Sequence, residues 1–139
     1  MMKKRILLIV LLALSLCMLV SCADMKGQQS VRKLDELQAR FEKDGYECTR
    51  WQDTGIASYA ESLVSESGVL LKGEITGMME YTYHDAAADK YVYGVVVGTT
   101  NKADSKAVGE VYAASLEGVV TDMETTVQTY YVQIEYTLS

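Results

Sequence analysis

Between Tyr91 and Gly98 the chain sets Val92, Val95, Val96 and Val97 with little alternation, and that run constrains the fold more than any other segment. A short stretch of β-branched residues reads as a strand covered on both faces, and therefore central in its sheet. Its neighbours alternate. Val69–Tyr83 places Val69, Leu71, Ile75, Met79, Tyr81 and Tyr83 on one side against Lys72, Glu74, Thr76 and Glu80 on the other. Gly73 and Gly77 fall on the apolar side, which predicts a closely packed helix there or a bend in so long a strand. Val127–Leu138 sets Tyr130, Val132, Ile134, Tyr136 and Leu138 against Tyr131, Gln133 and Glu135. Tyr46–Gln52 alternates over a shorter length, and His84–Asp89 forms a hairpin connection.

Helical spacing separates these runs. Ser30 is an N-cap for a helix over Val31 to Lys43, with Val31, Leu34, Leu37 and Phe41 as its stripe and Gly45 as its stop. Asp53 or Thr54 caps a second helix that turns Ile56, Tyr59, Ala60, Leu63 and Val64 to one side, with Gly68 beyond it. Thr100 or Asn101 caps a third, reaching about Glu117, with Ala107, Val108, Val111, Ala114 and Ser115 inward. The expected class is α+β. From Tyr46 the order strand-helix-strand-strand-helix-strand resembles the ferredoxin-like arrangement. That resemblance implies an antiparallel β-α-β-β-α-β sheet with two helices on one face, behind an N-terminal helix. The alternative is the same helix followed by a differently ordered antiparallel sheet.

Ahead of this domain, Lys3, Lys4 and Arg5 precede an uncharged, Leu-rich run from Ile6 to Val20. About 15 apolar residues behind a basic segment suit a secretory signal and fall short of the ~20 that span a bilayer. The run ends in Leu19-Val20-Ser21-Cys22, which resembles the lipobox of bacterial membrane lipoproteins. The resemblance implies cleavage between Ser21 and Cys22 and a lipid on the Cys22 sulfur, with enough acyl chains for stable anchoring. Without it, the same segment would serve an ordinary secreted protein cleaved near Ser21, or an uncleaved anchor helix. Residues 1–21 then read as a lipoprotein signal peptide, 22–29 as lipidated Cys and short tether, and 30–139 as one domain. The expected location is the extracytoplasmic side of a cell membrane, or the outer membrane where the host has one.

Loss of residues 1–21 leaves 10 basic and 19 acidic side chains, and the excess of acid lies beyond residue 44. An acidic chain without a basic cluster is a poor nucleic-acid binder, because phosphate contacts dominate that affinity. Of the three cysteines, Cys17 leaves with the signal and Cys22 is modified. Cys48 stays single and reads as a small buried apolar residue beside Tyr46. His84, Asp85, Asp89 and Glu80 are the only ligand-like cluster, and they lack the ligand count of a Ca²⁺ loop or the further His or Cys that Zn²⁺ takes. No metal or cofactor is expected, and no nucleophile signature suggests an enzyme.

The sheet face opposite the helices is the candidate binding surface. Trp51, Glu74, Glu80, Tyr131 and Glu135 are its candidates, with Thr49, Lys72, Thr76, Met78 and Gln133 around them, unless the first helix covers part of that face. The expected role is a binding or structural module that meets another envelope protein or an extracellular ligand. The alternative is a small-molecule receptor or hydrolytic enzyme, which calls for a concave pocket near His84 or Trp51 with acids pointing inward.

Overall fold

A computed structural model describes residues 25–138; the signal segment, Ser21, Cys22 and the first residues of the tether lie outside them. The described chain is α+β. Helix α1 (residues 25–43) precedes β1 (Glu47–Arg50), α2 (Asp53–Ser67), β2 (Ile75–Asp85), β3 (Lys90–Thr99), α3 (Lys102–Leu116), β4 (Val120–Val127) and β5 (Tyr131–Leu138). The five strands form one antiparallel sheet in the order β1-β2-β3-β5-β4.

This order corrects the ferredoxin-like expectation in its first half. There, β1 and β2 would run parallel with another strand between them; here they are antiparallel neighbours, Cys48 opposite Tyr81. The antiparallel return is possible because α2 rises about 22 Å and the segment 68–74 comes back beside it, laying Leu71 on the same core as Ile56 and Ala60. The second half keeps the split crossover. Both β3 and β4 are antiparallel to β5, so they run parallel with β5 inserted between them. The extra strand β4 occupies the stretch after α3 that showed no pattern, and the strand expected over Val127–Leu138 begins at Tyr131 after a tight turn.

The centrality of β3 is as its composition demands. Val95 and Val97 face one core with Met78, Val108, Val132, Ile134 and Leu63, under α2 and α3. Val96 faces a second core with Met79, Tyr81, Leu34, Leu37 and Phe41, under α1. Helices thus cover both faces, two on one side and one on the other. Leu34, Leu37 and Phe41 are buried at helical spacing, each worth roughly 1.5–3 kcal/mol in transfer from water.

Two details of α1 differ from expectation. The helix already includes residues 25–29, which were expected as tether, and Ser30 lies within it, fully buried. The inward stripe is therefore Ser30, Leu34, Leu37 and Phe41, while Val31 is partly exposed. A buried hydroxyl needs partners. Ser30 Oγ donates to Tyr130 O at 2.9 Å and hydrogen-bonds Thr76 Oγ1, which pins the start of β2 and the β4–β5 turn to the helix. Gly45 and Gly68 do end their helices in left-handed conformations, with φ of 89° and 67°.

Close approach explains three glycines. A Cβ on Gly77 would stand 2.8 Å from Leu34 Cδ1, and one on Gly98 would stand 2.9 Å from the same atom, so α1 packs directly on bare backbone. A β-bulge between Ile75 and Gly77 shifts the alternation there, turning Ile75 to the α2/α3 side and Gly77 to the α1 side. A Cβ on Gly94 would fall within the Tyr81 ring. Gly94→Ala should therefore overpack the α1 face and lower stability by about 1–3 kcal/mol, read as a fall in urea midpoint at unchanged slope.

Candidate functional site

Antiparallel register arranges the side chains of each face in rows across the sheet. On the α2/α3 side one row is Glu47, Thr82, Tyr93 and Tyr136, and the next is Thr49, Glu80, Val95 and Ile134. The helices stop short of the first row. Tyr112 on α3 overhangs it, and the gap is a cleft of about 260 Å³ lined by Glu47, Thr49, Glu80, Thr82, Tyr93, Tyr112 and Tyr136, with the β3 backbone at Gly94 as part of its floor.

Aromatic contacts hold the walls. Tyr93 stacks on Tyr136 with ring centroids 6.0 Å apart, and Tyr112 is 6.3 Å from Tyr59, itself edge-on to Trp51 at 6.3 Å. No basic side chain pairs with Glu47 or Glu80 among the described residues. Arg50, the cation of β1, points to the opposite face, where it donates to Asp35 Oδ1 at 2.7 Å and Gln38 Oε1 at 3.3 Å. Burial pushes the Tyr112 phenol up to about 12, with Tyr136 and Glu80 adding to it. Burial also raises Tyr136, and the Glu80 charge raises it further. The cleft is thus an acidic hollow with tyrosine walls, suited to holding positive charge.

The five residues expected to share one face do not. Glu80 lines the cleft, and Trp51 sits on the same side of the sheet, packed against the α2/α3 core. Tyr131 and Glu135 lie on the α1 side. There Tyr81 Oη donates to Glu135 Oε2 at 2.6 Å, Tyr83 Oη donates to Glu135 Oε1 at 3.2 Å, and Gln133 Nε2 donates to Tyr81 Oη at 2.7 Å. Glu135 therefore serves a packed tyrosine network. Glu74 belongs to the segment before β2, in a broad depression with Gly27, Arg32 and Asp35. Met78, placed on the open face by its alternation, is fully buried.

His84 lies at the exposed β2–β3 hairpin, its Nε2 3.0 Å from Asp89 Oδ1, and does not line the cleft. Asp85 Oδ1 accepts from Ala87 N at 3.1 Å and shapes that turn. Among the described residues, no three His, Cys, Asp or Glu side chains converge as metal ligands, and no helix is long and apolar enough to cross a membrane. Cys48 is a free, half-buried thiol packed beside Tyr46 on the α1-side core; burial pushes its thiol up, with Glu42 adding to the shift.

The most completely satisfied polar group is Asp104, buried at the start of α3. Its carboxylate accepts from Lys72 N at 2.9 Å, Gly73 N at 2.8 Å and Asn101 Nδ2 at 2.8 Å, while Asn101 Oδ1 caps the helix through Asp104 N. This clamp fastens the returning segment of α2 to α3, and so holds the roof of the cleft in place.

No family model matches the chain, and none of the curated proteins or solved structures matches it either.

Glu47, Tyr93, Tyr112 and Tyr136 were not singled out by the sequence, since only the cross-strand register brings them beside Glu80. Trp51 was expected on an open face, where truncation would cost little; its packing instead predicts that Trp51→Ala destabilises by about 2 kcal/mol, measured by chemical unfolding. Alkali gives a second check. Burial raises the phenols of Tyr59, Tyr81, Tyr83, Tyr112 and Tyr136, Tyr83 to about 12 with Glu135 adding to it. The unfolded chain releases those protons near 10 while the folded chain keeps them, so stability is full below pH 10 and falls as pH rises toward 12. The share of tyrosinate absorbance owed to these five of the ten tyrosines should accordingly rise together with loss of far-UV circular dichroism, not ahead of it.

Proposed function

We propose that this protein is a lipid-anchored component of a bacterial cell envelope whose folded domain binds a ligand or another envelope protein without chemistry of its own. The observation that carries the binding half is the cleft, and it favours the small-molecule receptor over a protein-docking module: a concave site whose two carboxylates have no cationic partner among the described residues, roofed by a helix that the Asp104 clamp fixes. Pre-formed hollows with a few convergent polar groups are the usual form of a binding site. The anchoring half rests on Leu19-Val20-Ser21-Cys22 behind its basic and apolar leader.

The shortness of the link supports the combined reading. Helix α1 includes residue 25, so only Ala23 and Asp24 separate it from Cys22, a reach of at most about 11 Å. A lipid on Cys22 would hold the domain near the bilayer by the α1 end. A sheet covered on both sides favours contact through the cleft over contact through a flat open face.

The test has two arms. Cys22→Ser should abolish fatty-acid labelling and either release the protein from membranes or stall its processing; normal cleavage with undiminished membrane retention would refute the anchor. A photoreactive amino acid at Thr49, on the rim of the cleft, should capture a specific adduct in intact cells, while the same residue at Glu61 on the outer surface of α2 should not. Equal capture at both positions, or none at Thr49, would refute the binding site.

A further inference from the structure

We infer that the cleft receives a small organic cation, an alkylammonium group held between Glu47, Glu80 and the rings of Tyr93, Tyr112 and Tyr136. This rests on the binding role proposed above and gives it a ligand class.

Three observations lead there. First, Glu47 and Glu80 stand diagonally across the β1–β2 ladder on one face, since Glu47 opposes Thr82 and Glu80 opposes Thr49. Diagonal neighbours lie about 7–8 Å apart at the backbone, so both exposed carboxylates border one gap that no basic side chain of the described residues fills. An alkylammonium group in that gap would pair with both. Second, the remaining wall is aromatic. Tyr93 and Tyr136 stack over the floor while Tyr112 closes the roof, and ring faces attract an ammonium group most strongly where water is displaced. A hard metal ion would gain little from such walls and would want six to eight oxygen ligands. Third, the cleft itself seats only a small group. At about 30 Å³ per water-sized group, a cleft of about 260 Å³ admits roughly nine non-hydrogen atoms. The fitting class is a short amine, diamine or quaternary ammonium compound.

The acids stay unpaired because of strand geometry. Arg50 is next but two to Glu47 on β1, yet the odd spacing sends it to the other face, where Asp35 and Gln38 hold it. The cleft therefore keeps its negative charge without an internal counter-ion.

The experiment titrates the protein as purified from membranes in detergent micelles at low salt with choline, cadaverine and 3,3-dimethylbutan-1-ol, the uncharged counterpart of choline, followed by calorimetry and tyrosine fluorescence. Saturable binding of at least one of the two amines is expected, with the alcohol at least about tenfold weaker. Glu80→Gln and Glu47→Gln, both on exposed side chains, should each weaken the amine by about tenfold while leaving the unfolding midpoint unchanged. Tyr93→Leu should weaken it as well. Equal binding of the alcohol, unchanged affinity in the Glu47→Gln, Glu80→Gln double variant, or no amine binding would overturn the inference. Failure here together with specific capture at Thr49 would remove the cation and leave the binding role standing; failure of both would remove both.

Discussion

A sheet whose central strand is apolar on both sides cannot exist with one face open, and this constraint organises the molecule. Val95 and Val97 on one side of β3, and Val96 on the other, are each sealed from water. The chain meets the demand with helices drawn from opposite directions in sequence. Helices α2 and α3 come from the crossovers, and α1 comes from the segment before the first strand. Because α1 is not a crossover between strands, its hold on the sheet rests mainly on side chains: Leu34, Leu37 and Phe41 in apolar contact, the Ser30 hydroxyl bonded to Thr76 and Tyr130, and Asp35 and Gln38 accepting from Arg50. The glycines at 77 and 98 are the counterpart of that docking, since they let helix and strands approach without intervening side chains.

The same economy of cover leaves the candidate site. Two helices of 15 residues span the upper rows of the α2/α3 face but not the row that ends in Tyr93 and Tyr136. A polar rim on edge strand β1 and a tyrosine floor remain, with one tyrosine reaching down from α3. Tyr is apt for such a position because its ring packs while its hydroxyl stays near water. The Asp104 clamp gives the roof its rigidity. One buried carboxylate satisfies two backbone amides of the returning segment and the Asn101 side chain that caps α3.

Much of this was legible from residue order. The α+β class, the central place of Tyr91–Gly98, the cap at Asn101, and the stops at Gly45 and Gly68 all follow from periodicity and backbone chemistry. The face of β2 was not legible, for a physical reason: Met78 and Met79 are adjacent and both fully buried, so a strand covered on two sides carries no sign of which side holds which helix. The bulge after Ile75 then reversed the phase of everything beyond it. β5 kept its alternation, and joining its polar side to the wrong side of β2 assembled a face from Trp51, Glu80, Tyr131 and Glu135 that the fold divides. Strand β4 was invisible because Thr121 to Thr126 are all exposed, leaving no apolar rhythm to detect. The Tyr93–Tyr136 pair depends on register between residues 43 positions apart, which no local pattern encodes.

That outlying strand has its own significance. Its outer margin offers backbone amides and carbonyls to any extended chain that comes alongside, the usual route to runaway stacking of sheets. Asp122, at a φ of 51°, breaks the regular ladder between Thr121 and Glu124, and both acids project from the interrupted stretch. A visiting strand would meet a kinked, negatively charged border instead of a straight template. Such an irregular border is a poor template for a neighbouring copy.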